Sequence, residues 1–230
     1  MRVAALVTGG KDSALALYRA LKLGYEVKVL VTMIPQREDS WMFHFPNIHL
    51  ADLFAKAVEI PLVKAETVGI KETELKDLKN LLATLDIQGV VSGTISSRYQ
   101  KERIDKVCQE LNLESIAPLW QEDSMRLLKE IINLNFEVII VGVYAYGFDE
   151  NWLGRKIDST TIMNLAELND KHQISLVGEG GEYETLILDA PFFKKRIQVL
   201  QTERIWENHS GYLLVKEAKL VDKAEKVYSA

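Results

Sequence analysis

The sequence holds a single cysteine, Cys108, in 230 residues. This excludes an intramolecular disulfide and a structural zinc site built from several thiolates, and a reducing compartment is expected. No stretch approaches the roughly 18 to 20 consecutive apolar residues of a membrane helix. The apolar run at residues 3–7 is too short for a signal-peptide core, so no membrane association and a cytoplasmic location are expected. Cations are not in excess: 28 Lys and Arg stand against 33 Asp and Glu, a net charge of -5. That argues against stable nucleic-acid binding, which draws its affinity from clustered Lys and Arg. His44, His49, His172 and His209 lack metal-ligand spacing, leaving His44 a minor site candidate. No internal repeat or low-complexity tract breaks the chain.

What is present is 47% hydrophobic and 27% charged residues, enough to bury a core of one large domain or two small ones. Residues 3–7 are apolar almost without interruption, as in a central strand covered on both faces. From Asp12 the period becomes helical, with Leu15, Leu17, Tyr18 and Leu21 ahead of Gly24. Strands are predicted at 26–33, 61–66 and 89–91, and helices at 50–58, 72–85 and 101–111. Such alternation implies an α/β, doubly wound parallel sheet with ligands beyond the carboxyl ends of its strands. A helix at 124–133 and a strand at 138–143 follow. Residues 142–154 read as a site-facing loop, and 196–206 with 212–221 as a hairpin around Asn208 to Gly211. The expected domains are a nucleotide-binding unit at 1–120 and a smaller C-terminal α+β unit at 121–230.

Thr8-Gly9-Gly10-Lys11-Asp12-Ser13 links the first strand to the first helix. A strand, a glycine pair and an immediate helix aim backbone N–H groups and the positive end of a helix dipole at an anion. Lys11 can add charge, Asp12 can cap the helix or place a metal ion, and Ser13 can donate a hydroxyl hydrogen bond. The order is neither G-x-x-x-x-G-K-[ST] nor G-x-G-x-x-G. A glycine pair with an aspartate cap also occurs as an ordinary turn.

Gly178-Glu179-Gly180-Gly181-Glu182-Tyr183-Glu184-Thr185 crowds three glycines and three acids ahead of an apolar stretch, a composition unsuited to a core. Its carboxylates can hold magnesium, receive ammonium or act as a general base; a solvated acidic turn is the alternative. Gly93-Thr94-Ile95-Ser96-Ser97-Arg98-Tyr99-Gln100 is expected on the same sheet edge as the first loop. There Gly93 allows close approach, Ser96 and Ser97 can hydrogen-bond phosphate or ribose, and Arg98 can neutralise an anion.

The first loop resembles the S-G-G-K-D-S loop of PP-loop ATP pyrophosphatases, with Thr8 keeping the hydroxyl of the first serine. Together the three segments resemble the diphthine-ammonia ligase family over nearly the whole chain. Gly178 to Thr185 is their most specific part; Trp41 to His44, Pro118 to Trp120 and Trp152 to Arg155 with Asp158 also match. The resemblance implies a HUP-type sheet and ATP with Mg2+, the ATP being split to AMP and pyrophosphate. It further implies diphthine on translation elongation factor two as protein substrate and ammonium as co-substrate.

On that basis Thr8, Gly9, Gly10, Lys11, Asp12 and Ser13 are expected to hold the phosphates, Asp12 with the metal. Gly93 and Ser96 complete the nucleotide wall, and Met33 lies toward the adenine. Lys11, Asp12, Glu179, Glu182 and Glu184 are the catalytic candidates, with Arg98, Gly180, Gly181 and Tyr183 toward the substrate. Cys108 shares an apolar helix face with Ile104, Val107 and Leu111, which argues against the cysteine-dependent tRNA thiolation of some PP-loop enzymes. Adenylation of a small-molecule carboxylate and a non-catalytic ATP sensor are the competing readings. The sequence leaves the oligomeric state open, a homodimer included.

Overall fold

A computed structural model of the chain describes residues 1–35, 47–67 and 71–223. Its first half runs β1 (Arg2–Leu6), α1 (Lys11–Lys22), β2 (Glu26–Pro35), α2 (Ala51–Val58), β3 (Leu62–Thr67), α3 (Lys71–Leu82), β4 (Gly89–Val91), α4 (Arg98–Glu110) and β5 (Glu114–Ile116). The five strands form a parallel sheet in the order β3-β2-β1-β4-β5. The apolar run of β1 serves two cores. Val3 and Ala5 pack with Leu15, Leu17 and Phe54, while Ala4 faces Val29, Val31, Leu78, Leu82 and Ile104. Strand order reverses between β1 and β4, so the loops leaving their carboxyl ends flank the crevice where such sheets take ligands.

The second half runs α5 (Ser124–Asn133), β6 (Glu137–Val143), α6 (Ser159–His172), β7 (Tyr183–Asp189), β8 (Lys195–Glu207) and β9 (Ser210–Asp222). Its sheet has the order β7-β6-β9-β8, and its pairings are antiparallel. β8 and β9 form the hairpin expected from the sequence, Glu207 pairing with Ser210 across Asn208 at φ 55.

The two sheets are not separate bodies. Ile139, Ile187, Phe193, Leu213 and Val215 belong to the same core as Val3 and Leu15. The fully buried Asn47 side chain donates to the Leu213 carbonyl at 2.9 Å and accepts from the Val215 amide at 2.8 Å. Edge strand β7 reaches further, its Ile187 amide donating to the Gly9 carbonyl at 2.9 Å. The second sheet thus grips the first glycine-rich loop directly.

Three local details complete the fold. Residues 142–154 start inside β6, which runs to Val143, and continue as a mostly exposed loop pinned by the buried Phe148 and Trp152, edge to face with ring centroids 4.9 Å apart. α6 has no strong apolar stripe and is set by its cap, Asp158 accepting from the Thr161 amide at 2.8 Å. α4 begins at Arg98, where Ser97 accepts from the Gln100 amide at 3.3 Å. Among the described residues no helix is long and apolar enough to cross a membrane.

Candidate active site

Residues 8–13 sit at the crevice as the sequence predicts, α1 opening with Gly10 at its N-cap and no side-chain cap. The loop is braced internally: Ser13 donates to the Gly10 carbonyl at 3.1 Å, and the Thr8 amide donates to the Ser13 hydroxyl at 3.4 Å. Gly93 packs against this turn. A Cβ there would lie 2.8 Å from the Ser13 nitrogen and 2.9 Å from the Asp12 carbonyl carbon. The close approach that Gly93 permits is therefore to the backbone of α1.

Lys11 is 2% exposed, and its ammonium donates to the Asp12 carboxylate at 2.9 Å and to the Val177 carbonyl. It also lies 5.1 Å from the Tyr183 ring centre. Its amide is capped by the Thr185 hydroxyl at 3.1 Å. Burial by itself would lower the Lys11 pKa, but Asp12, then Tyr183 and Glu184, outweigh it and leave it raised. The same burial raises Asp12, against Lys11 and with the Glu179 charge adding to the rise. Asp12 keeps a 29% exposed side chain, only its Oδ2 being bound to Lys11.

The acidic segment divides at Tyr183. Residues 178–182 form a turn, with Gly178 at φ +73 and Gly181 at φ +83, both glycine conformations. Tyr183 and Thr185, 2% and 3% exposed, begin β7 and are core, contrary to the expectation that the segment cannot be. The Tyr183 hydroxyl donates to the Leu176 carbonyl at 2.7 Å, and burial pushes it up to about 12. Tyr183 is thus a wall beneath the site. Gly180 and Gly181 are exposed.

The three glutamates have different surroundings. Glu179 reaches to the amides of Ile95, Ser96 and Ser97. Glu182 accepts from the Ser175 amide at 2.8 Å and steadies its own turn, its other oxygen buried without a partner among the described residues. Glu184 is partly exposed, and among the described residues nothing donates to its carboxylate. Burial pushes Glu184 up to about 8, against the pull of Lys11 and with Asp12 adding to the rise.

The remaining candidates are less central. Met33 is 2% exposed in the core under α3 and α4, but β1 pairs with β2 only as far as Val31, so the Met33 backbone lies past the end of that ladder. Ser96 gives its amide and hydroxyl to Glu179, and Arg98 stands exposed in the first turn of α4, where a cation gains nothing from the helix dipole. Arg155 stacks 4.7 Å from the Trp152 ring and donates to Asn164. Trp41 to His44 lie outside the described residues. Sequence reasoning missed Val177, which acts through a carbonyl and leaves no side-chain signal. It also missed Thr185, whose place at the end of the acidic motif was the available clue. Among the described residues, no three His, Cys, Asp or Glu side chains converge into a metal cage.

A doubly wound α/β sheet with a glycine-rich loop opening directly into a helix N-terminus at its switch point defines a nucleotide-binding protein, here with a second sheet closing over the loop. Family models for the diphthamide synthase N-terminal and C-terminal domains match residues 1–115 and 123–221. Two curated relatives named diphthine-ammonia ligase, from Bos taurus and Homo sapiens, are each 34% identical over 255 residues, covering 99% of this chain and 95% of their own. One from Schizosaccharomyces pombe is 35% identical over 98% of this chain, which spans 40% of that longer protein. The chain belongs to this family of ammonia ligases of diphthamide synthesis. A crystal structure of a predicted subunit of tRNA methyltransferase from Methanocaldococcus jannaschii covers 83% of this chain at 18% identity, with 98% of its own length matched. Its TM-score of 0.48 is too slight a likeness for its name to bear on this chain.

Proposed function

We propose that this chain is an ATP-dependent ligase that adenylates the diphthine carboxylate of translation elongation factor two. Pyrophosphate leaves, and ammonia then displaces AMP to give the amide of diphthamide. A free carboxylate is a poor acyl donor because hydroxide would have to leave, whereas AMP is a competent leaving group. The observation that carries the reading is the contact of the phosphate loop with β7, the strand that holds Glu184: the Lys11 amide donates to the Thr185 hydroxyl at 3.1 Å and the Ile187 amide to the Gly9 carbonyl at 2.9 Å.

In this reading the amides of Asp12 and Ser13 and the hydroxyls of Thr8 and Ser13 meet the phosphates. Lys11 supplies positive potential from behind the loop. The oxygen of Asp12 that is not bound to Lys11 suits magnesium, which is commonly held by one or two carboxylates together with substrate phosphates. Magnesium would neutralise phosphate charge there. Glu184 is the candidate that takes the proton from ammonium, being the glutamate whose carboxylate is neither tied to an amide nor fully exposed. Tyr183 and the 178–182 turn exclude water from the acyl adenylate.

The test is incubation with ATP, magnesium, ammonium and diphthine-bearing elongation factor two. AMP, pyrophosphate and the small mass loss of exchanging hydroxyl for amine on the factor are expected. ADP as product would overturn adenylation, and AMP formed only with another carboxylate would overturn the substrate.

A further inference from the structure

We propose that Glu179 is a positioning residue that latches the acidic turn onto the start of α4 and closes the crevice above Asp12. Acyl adenylate then meets ammonia in place of water. The inference rests on the adenylation reading above and gives Glu179 a role other than that of base.

The carboxylate of Glu179 is saturated. Oε1 accepts from the Ile95 amide at 2.7 Å, the Ser96 amide at 2.8 Å and the Ser97 amide at 3.0 Å. Oε2 accepts from the Ser96 amide at 2.6 Å and from the Ser96 hydroxyl. These donors follow β4 of the first sheet, whereas Glu179 precedes β7 of the second, so the contact spans the crevice mouth. Ser97 also caps α4, which puts the carboxylate on a helix N-terminus.

The turn that carries Glu179 is built to aim it. Gly178 holds φ +73, and a Cβ there would lie 2.7 Å from the Tyr183 carbonyl oxygen. The Gly181 amide closes the turn on the Gly178 carbonyl at 3.0 Å, and Glu182 ties its base to the Ser175 amide. Gly93, in the same segment as these donors, packs its backbone on Asp12 and Ser13, which places the latch beside the phosphate loop. A carboxylate whose acceptor sites are filled by amides has no free lone pair with which to take a proton from ammonium. Its chemistry is to hold two segments together.

The experiment compares Glu179→Ala and Glu179→Gln with the unmodified chain at saturating ATP and ammonium, counting AMP released per amide formed. The unmodified ligase is expected near one. Glu179→Ala should release several AMP per amide as water intercepts the intermediate, at an AMP rate changed less than about threefold. Glu179→Gln keeps an acceptor oxygen for the amides and should recover much of the coupling. Equal loss of amide formation in both variants at unchanged coupling is the signature of a general base and would overturn the latch. A lower melting temperature with a ratio still near one would overturn it too.

Hydrogen exchange supplies a readout that needs no substrate. The amides of Ile95, Ser96 and Ser97 should exchange roughly tenfold faster in Glu179→Ala than in the unmodified chain. Equal exchange overturns the latch even if the unmodified chain forms no AMP, an outcome that would separately overturn the adenylation reading.

Discussion

The ammonium of Lys11 donates a hydrogen bond to the main-chain carbonyl of Val177, 166 positions away in sequence. Lys11 therefore ties the glycine-rich loop to the segment that leads into β7. Replacing it by methionine keeps the bulk but leaves a buried carbonyl unpaired and Asp12 without its counter-ion. We expect Lys11→Met to lose about 3 kcal/mol of stability, since breaking one side of a buried ion pair is strongly destabilising. Urea unfolding measures this, and AMP formation should fall in parallel because the loop loses its brace.

Glu184 gives a pH test. With its carboxyl pushed up to about 8, the folded chain keeps a proton that the unfolded chain releases near 4.5. Between those values the folded state binds more protons, so stability falls as pH rises. Glu184→Gln removes that dependence. The melting temperature of the unmodified chain should drop relative to Glu184→Gln between pH 5 and pH 8.5, and parallel profiles would contradict the assignment. The same variant should bind ATP yet form little amide.

Two glycines separate packing from backbone conformation. Gly93→Ala must displace the first turn of α1, because the added carbon meets Ser13 and Asp12 backbone at under 3 Å. A stability loss of about 1–3 kcal/mol and weaker ATP binding by calorimetry are expected. At Gly181 the added carbon meets nothing within 4 Å, and only the φ of +83 resists it. Gly181→Ala should lose about 1 kcal/mol with ATP binding unchanged.

Cys108 should be chemically silent. It is 1% exposed among Ile104, Val107 and Leu82, and burial pushes its thiol up to about 11, with Asp105 adding to the rise. Iodoacetamide at pH 8 should leave the folded chain unmodified and alkylate it after unfolding. Cys108→Ala should keep ligase activity.

Periodicity made the first half legible. The apolar run of β1, the helical spacing behind Asp12 and the strand-helix alternation correspond to elements whose faces meet the two cores. Cys108 lies on the inward face that its spacing with Ile104 and Val107 implies. Where local signals were thin, tertiary pairing decided. β5 has three residues and exists through its ladder with β4, and α6 rests on the Asp158 cap with few buried side chains. Composition misled at Tyr183 and Thr185: glycines and acids describe the 178–182 turn, but Tyr183 packs on Lys11 and Phe148, and Thr185 on the Gly10–Lys11 turn. The site residues were nameable from type and spacing. Their partners were not, because Glu179 meets amides and Lys11 meets a carbonyl, and main-chain groups are the same at every position.

The bond from the Ile187 amide to the Gly9 carbonyl has a bearing on how relatives can be recombined. A chimera joining residues 1–115 of one ligase to residues 123–221 of another imports a foreign edge strand as well as a foreign acidic turn. That strand then supplies the amide that meets the Gly9 carbonyl in its new host. Gly9 and Lys11 on one side meet Val177, Thr185 and Ile187 on the other, so a chimera divided between the halves has to remake these contacts from two parents.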